Sequence, residues 1–344
     1  MNATPADPRS WLTSSLLHLC ACETTSGRED AGLAPLRALL SGLGAVIHEQ
    51  RVAEGRTNVL ATWGRPRVIF STHLDTVPPY LPPRLEGDVF HGRGACDAKG
   101  QIVAQLAAVK TLLAEGREGL AWLGVVGEET DSAGATAALG LADRLLDLKV
   151  LINGEPTDLK LATGQRGAQH LCLHCAGRAA HSGSPELGLD ATWPLLDWLQ
   201  RLRKQPRPVD PALGPEIWNL GLLRAGEALN SVPASAEAQV MARTLPGSTF
   251  AEEARQLAPP EGSVGLRLDE PPDRYPEIPG FDHAAMPFGS DAPTLRALVP
   301  DRTVVLAGPG SIRVAHTLEE RLALAELEAG VALNRRLALH FLGD

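Results

Sequence analysis

The chain has 344 residues, a length that favours two domains of ordinary size over one or four. Apolar residues make up 44% of it and charged residues 21%, so it can bury a sizeable core and is neither disordered nor fibrous. Lys and Arg total 32 against 41 Asp and Glu, a formal charge of -9, which argues against nucleic-acid and anionic-membrane partners.

The segment MNATPADPRSWLTSSLLHLCAC has neither a basic leader nor a small-residue cleavage site. No apolar run approaches the ~20 residues of a membrane-spanning helix. Five scattered cysteines, an odd number, do not form a disulfide framework, and the chain reads as a reduced cytoplasmic protein. Asp7 and Pro8 form a cap and first-turn pair for a helix carrying Trp11, Leu12, Leu16 and Leu19 at helical spacing. A second helix is expected over Glu29 to Leu43, then strands at VIHEQRV, TNVLATW and RVIFSTH, the last ending at His73. The period becomes helical over 99–116, extended over 120–127, helical in SAGATAALGLADRLL and extended over 149–154. Such alternation predicts an α/β fold with a mainly parallel sheet covered on both faces.

The texture changes after Gly164. A strand over 169–177, a helix from Leu187 to Lys204, strands over 217–226 and 236–244, a helix from Thr249 to Leu257 and a strand over 263–270 give a β-α-β-β-α-β order. That order suggests an α+β domain of ferredoxin-like type. The proline-rich PPDRYPEIPG leads out of it, and a strand over 303–308 and a final helix from Glu319 onward complete the first sheet. The domains are therefore expected at 1–163 with 273–344, and at 164–272 as an insertion.

Unusual polar residues stand at or just beyond the predicted strand ends: His73 and Asp75 in STHLDTVPP, Asp97 in GRGACDAKG, Glu128 and Glu129 in VVGEETD, Glu155 in INGEPTD, and His316 in GSIRVAHTLEE. Residues beyond the carboxyl ends of strands in an open α/β sheet can converge on one site. Imidazoles and carboxylates without thiolate suit Zn2+, Co2+ or Mn2+. With His73, Asp97, Glu129, Glu155 and His316 as ligands, three carboxylates and one hydroxide balance two divalent ions, and Asp97 is the sensible bridge. Asp75, two residues along the strand from His73, is placed to hold the second N–H of its imidazole. Glu128 remains as a general base that takes a proton from the attacking water and passes it to a leaving amine, which is amide hydrolysis.

The stretches HLDTVPP, GRGACDAKG, GEE, GEPTD, AGRAAHSGSPELGLDA and GPGSIRVAHTLEE, in this order along almost the whole chain, resemble the co-catalytic zinc aminoacylases and exopeptidases. That family includes acetylornithine deacetylase, succinyl-diaminopimelate desuccinylase and glutamate carboxypeptidase. The resemblance implies the same five ligands and Glu128 as base, and makes 164–272 a lid domain through which such enzymes dimerise. It further implies that His181, in AAHSGSP, steadies the tetrahedral oxyanion in the partner subunit's site, and that Asn230 and Arg243 hold a substrate carboxylate. The family has an acidic residue two positions before this arginine, where Met241 stands here. Like related members, the chain is expected to carry a cis peptide after Asp97. The Gly308-Pro309-Gly310 loop is expected to shape the pocket, with Gly310 against substrate, and Ser290 and Asp291 to cap the next helix.

The leading functional expectation is a cytoplasmic, homodimeric di-zinc deacetylase acting on acetylornithine or acetylcitrulline, in arginine biosynthesis. Its alternatives are a succinyl-diaminopimelate desuccinylase, an exopeptidase or, last, a metal-binding dimer without turnover. One decoy is discounted: Cys172 and Cys175 mimic a C-x-x-C site, but residues three apart on a strand face opposite ways.

Overall fold

A computed structural model describes residues 8–299 and 303–343; Asp7, the expected first cap, lies outside them. The chain divides into two compact units, one of Met1–Thr163, Tyr275–Ala284 and Ser290–Asp344, the other of Gly164–Arg274 and Ala285–Gly289. The second unit thus runs two residues past the expected 272 and also takes in a short later stretch.

Helices α1 (Pro8–Cys20) and α2 (Leu33–Gly42) open the first unit, followed by strands β1 (Val46–Ala53), β2 (Arg56–Trp63) and β3 (Val68–His73). Helix α3 (Lys99–Ala114), β4 (Leu120–Val125), α4 (Ala133–Ala138) and β5 (Val150–Asn153) follow. Every residue of β3, β4 and β5 is buried, as expected of parallel strands covered on both faces.

In the second unit come β6 (Gly167–Ala176), α5 (Thr192–Lys204), β7 (Ile217–Ala225), β8 (Ser235–Thr244), α6 (Phe250–Gln256) and β9 (Gly262–Glu270). They form one antiparallel sheet of order β7-β8-β6-β9, the ferredoxin-like arrangement. Leu171, Leu173 and Cys175 of β6 pack with Trp198 of α5 and Phe250 of α6. Cys172 points the other way and accepts a hydrogen bond from Arg267 Nε at 3.0 Å, so the two thiols share no site.

The chain returns to the first unit through α7 (Ala292–Leu295), β10 (Val304–Leu306), β11 (Arg321–Ala323) and α8 (Leu324–Leu342). The main sheet has the order β1-β2-β4-β3-β5-β10. Strands β4, β3, β5 and β10 run parallel, and β1 and β2 pair antiparallel at one edge. Helix α3 packs between α1 and α8 and is buried along nearly its whole length. Its polar Gln105 is satisfied there, donating to the Ser71 carbonyl and accepting from Trp122 Nε1, both at 2.9 Å.

Three helix starts differ from expectation, the first being α2, which begins at Leu33 because Glu29–Gly32 forms a separate 3-10 turn. Helix α5 begins at Thr192, not Leu187, because Gly188 interrupts the run and the Asp190 carboxylate accepts the N–H groups of Thr192 and Trp193. Helix α8 begins at Leu324, not Glu319. Residues Arg321–Ala323 first pair as a strand with Val89–His91, and the Glu326 carboxylate then accepts the Ala323 N–H at 3.0 Å.

Candidate metal centre

The parallel strands end on one edge of the main sheet, and that edge carries the polar residues. His73 closes β3, the Gly127–Glu129 turn follows β4, Glu155 follows β5, and the loop to His316 follows β10. Asp97 sits just before the first turn of α3. The Asp97–Ala98 peptide is cis, as the resemblance implied.

Asp97 is buried and faces two imidazoles at once. Its Oδ1 lies 3.0 Å from His73 Nε2 and its Oδ2 3.4 Å from His316 Nε2. His316 Nε2 also lies 3.0 Å from the Glu129 carboxylate. His73, Asp97 and Glu129 offer one ligand atom each within 4.8 Å of one another. Glu155 is buried in the same field, where its charge interacts with His73, Asp97 and Glu129. His316 holds its half-exposed ring from a left-handed backbone, φ +61°, a conformation that costs a non-glycine residue of order 1 kcal/mol.

The electrostatics of the group are those of too many carboxylates for the cations present. Burial pushes the carboxyls of Glu128 and Glu155 well above the ordinary range, and burial with the nearby Asp97 charge pushes Glu129 upward. Glu155, Glu129 and Asp291 add to the effect on Glu128. Burial opposes the ionised form of Asp97, yet His316 and His73 hold it well below the usual carboxylate range. Against the pull of burial, Asp75 and Asp97 hold the His73 imidazolium well above the histidine range. Hydrogen bonds to Asp97 and Glu129 raise His316 to about 10. Among the described residues, no Lys or Arg forms an ion pair with Asp97, Glu128, Glu129 or Glu155.

This donor set fits a pair of divalent cations. It offers imidazole nitrogen and carboxylate oxygen only, one carboxylate lies between two imidazoles, and the negative excess matches bound positive charge. The Cys96 thiol, next in sequence to Asp97, is turned to the Ser311 carbonyl at 3.6 Å.

Asp75 does more than the sequence suggested. His73 Nδ1 lies 3.0 Å from the Asp75 backbone carbonyl and 3.5 Å from its carboxylate, so the imidazole hydrogen bond is mainly to the main chain. The carboxylate instead accepts the N–H groups of Gly127, Glu128 and Glu129 at 3.1, 3.2 and 3.1 Å and the Ser26 hydroxyl at 2.7 Å. It thereby fixes the turn that carries Glu128 and Glu129. The far side of that turn is held by Asp131, which accepts both terminal nitrogens of Arg56 at 2.9 and 2.7 Å. Gly127 has φ +79°, and a Cβ there would lie 1.7 Å from Arg56 Nη2, so only glycine fits.

Sequence reasoning missed Arg93 and Glu320, both buried, whose signal is the pairing of residues far apart in the chain. The remaining expected residues are placed as follows. Gly310 is buried, with φ +80°; a Cβ there would meet Cys96 Sγ at 2.6 Å, and its carbonyl accepts the Asp158 N–H at 2.8 Å. Asp291 flanks the start of α7, where the Ser290 hydroxyl accepts the Ala292 N–H at 3.3 Å.

His181, Asn230 and Arg243 belong to the second unit. The His181 segment bridges Ser231, and the Asn230 carbonyl accepts the Ser182 N–H at 3.0 Å, so the His181 and Asn230 loops lie together. His181 Nδ1 accepts the Gly183 N–H at 3.0 Å, which leaves Nε2 to carry the proton of the neutral ring. Arg243 is half-buried on β8, opposite Ile217 and Ala168.

Comparison with known proteins gives a consistent result. The profile of Peptidase family M20/M25/M40 matches residues 69–263. A Peptidase M20 domain-containing protein of Schizosaccharomyces pombe is 36% identical over 320 residues, 89% of this chain and 78% of the relative. A probable carboxypeptidase of Emericella nidulans is 33% identical over 372 residues, 93% of this chain and 87% of the relative. Among solved structures, a tripeptidase from Staphylococcus aureus superposes with a TM-score of 0.77 at 20% identity, covering 96% of this chain and 98% of its own.

Proposed function

The chain belongs to the M20/M25/M40 peptidases and is a hydrolase of amide bonds, and from that premise we propose a metal-dependent exopeptidase of carboxypeptidase type, acting on short peptides. The family is metal-dependent and often dinuclear. The observation that carries the reading is the Asp97 carboxylate set between His73 and His316, with the Glu128–Glu129 turn clamped beside it.

His73, Asp97, Glu129, Glu155 and His316 would hold two cations, taken here as zinc, with Asp97 shared between them. Bound cations supply Lewis-acid polarisation of the scissile carbonyl and activation of water. Glu128 accepts a proton on its carboxylate as the water oxygen bonds to the carbonyl carbon. It delivers that proton to the departing amine nitrogen as the C–N bond breaks. Asp75 keeps Glu128 and Glu129 in place during this transfer. His181, with its proton on Nε2, is the proposed donor to the developing oxyanion in the partner subunit's site, and Asn230 and Arg243 are the proposed partners of the substrate carboxylate.

A homodimer through the second unit is part of the proposal. Strand β7 is the edge strand of its sheet, is exposed along nearly all its length, and carries exposed Ile217, Leu220, Leu222 and Leu223. Sedimentation velocity tests it: a monomer at micromolar concentration overturns it.

The test of the activity is a panel of di- and tripeptides, N-acetylornithine, acetylcitrulline and succinyl-diaminopimelate, each assayed with Zn2+, Co2+ and Mn2+. Release of the C-terminal residue from peptides supports the proposal. Turnover confined to acetylornithine would return the deacetylase reading, and no turnover on any substrate would remove both.

A further inference from the structure

Glu320 lies four residues beyond His316, and its side chain is fully buried. Its Oε1 accepts three backbone N–H groups, those of Gly94, Cys96 and Asp97, each at 3.0 Å. Its Oε2 accepts Arg93 Nη1 at 2.6 Å, and Arg93 Nε donates in turn to the Pro79 carbonyl at 3.2 Å. The Gly92 N–H donates to the backbone carbonyl of Glu320 at 3.1 Å. Every one of these contacts joins the turn that ends in Asp97 to the segment that carries His316, apart from that to Pro79.

A second tie runs between the same two regions. Gln101, buried in the first turns of α3, donates from Nε2 to the Cys96 carbonyl at 3.0 Å and to the Pro309 carbonyl at 2.8 Å. The shared carboxylate and the last imidazole are thus fixed to one another through the main chain, and each Asp97 oxygen is left facing its own histidine. A carboxylate collecting three N–H groups is a strong, directional anchor, because losing it strands all three donors in a buried place.

We propose that Glu320, neutralised by Arg93, is a positioning residue that sets the Asp97 carboxylate for metal binding. It acts through the Gly94–Asp97 backbone and touches neither substrate nor metal. The inference rests on the metal-binding reading of the site, though on no particular substrate.

Metal titration of the chelator-treated protein separates the possibilities. Zn2+ affinity by chelator competition and the visible spectrum of the Co2+ form are measured for wild type, Glu320→Ala, Glu320→Gln and a control, Leu337→Ala, which opens a cavity in the core away from the turn. Glu320→Gln retains an oxygen for the three N–H groups but turns an amide N–H toward Arg93, so it serves even if Glu320→Ala does not fold. The expected result is a 10- to 100-fold loss of affinity on the scale of other groups that orient metal ligands, with an altered Co2+ spectrum, in the Glu320 variants only. Wild-type affinity and spectrum in Glu320→Gln, or an equal loss in Leu337→Ala at matched metal-free melting temperature, overturns the proposal. A wild-type protein that binds no metal overturns the metal-binding reading itself, and this inference with it.

Discussion

Two turns of the main unit carry Asp97 and the Glu128–Glu129 pair, and each is held by one buried carboxylate that gathers three backbone N–H groups. Asp75 holds Gly127, Glu128 and Glu129, and Glu320 holds Gly94, Cys96 and Asp97. The anchors differ in what balances their charge. Glu320 has the guanidinium of Arg93, whereas Asp75 has a serine hydroxyl and the His73 ring. The Asp75 turn is therefore electrostatically tied to the imidazole it adjoins. The Glu320 turn is self-contained, with its own cation, and is buried more like a piece of core.

The sharpest break of the comparison is at the residue that only one turn carries. Glu128→Gln should lower kcat by about 10²- to 10⁴-fold, the usual worth of a positioned acid–base group, with metal content unchanged. Steady-state kinetics with metal analysis checks this, and near-normal turnover would remove Glu128 from the mechanism. Asp75→Ala should follow, since it strands three N–H groups and loosens both glutamates. A loss of roughly 3 kcal/mol in urea unfolding is expected, together with at least 10-fold weaker metal binding.

Chelation and pH probe the charge difference directly. His73 and His316 titrate higher in the folded metal-free protein than in the unfolded chain, so their contribution is complete below the ordinary value of 6.5 and is lost as pH rises toward about 10. Glu128, Glu129 and Glu155 are also raised, and their contribution falls in the same direction from the ordinary 4.5 upward. Asp97, which is lowered, contributes throughout that range. The metal-free melting temperature should therefore fall between pH 6.5 and 9, while the metal-loaded form, with cations in place of these protons, should change less. Parallel curves would contradict the shared charge cluster. The smallest effect is expected from Arg56→Met, which frees Asp131 at the outer edge of the Asp75 turn. Because Arg56 is largely buried and also pairs with the buried Glu29 carboxylate at 3.3 Å, the change should cost about 2 kcal/mol in urea unfolding while moving KM and kcat by only a few fold.

The same comparison marks how far the sequence could be read. The anchor of one turn, Asp75, stands two residues beyond His73, where β3 ends, and the period of two expected of an extended chain exposes the pair. Glu320 and Asp97 are 223 positions apart, and nothing local in GSIRVAHTLEE separates Glu320 from the exposed Glu319 beside it. Strands β3, β4 and β5 were legible from their apolar cores, Val68–Phe70, Leu120–Val125 and Val150–Ile152. Three-residue strands such as Arg84–Glu86 and Val89–His91 carry too few residues for a period and exist because they pair with each other and Arg321–Ala323 pairs with Val89–His91 on its other side. The start of α5 went wrong where Asp190 outcompeted apolar spacing.

Strand β10 lies against β5 although Val304 and its partner Leu151 are separated by the whole second unit. On a ribosome the consequence is temporal. Four of the five proposed ligands have been synthesised by Glu155, and His316 follows 161 residues later, roughly 10–30 s at ordinary elongation rates. Until then the nascent chain exposes an incomplete ligand set beside an open sheet edge. The last segment delivers the closing strand, the final imidazole and the Glu320 anchor together, which makes completion of the proposed metal centre a late event in biosynthesis.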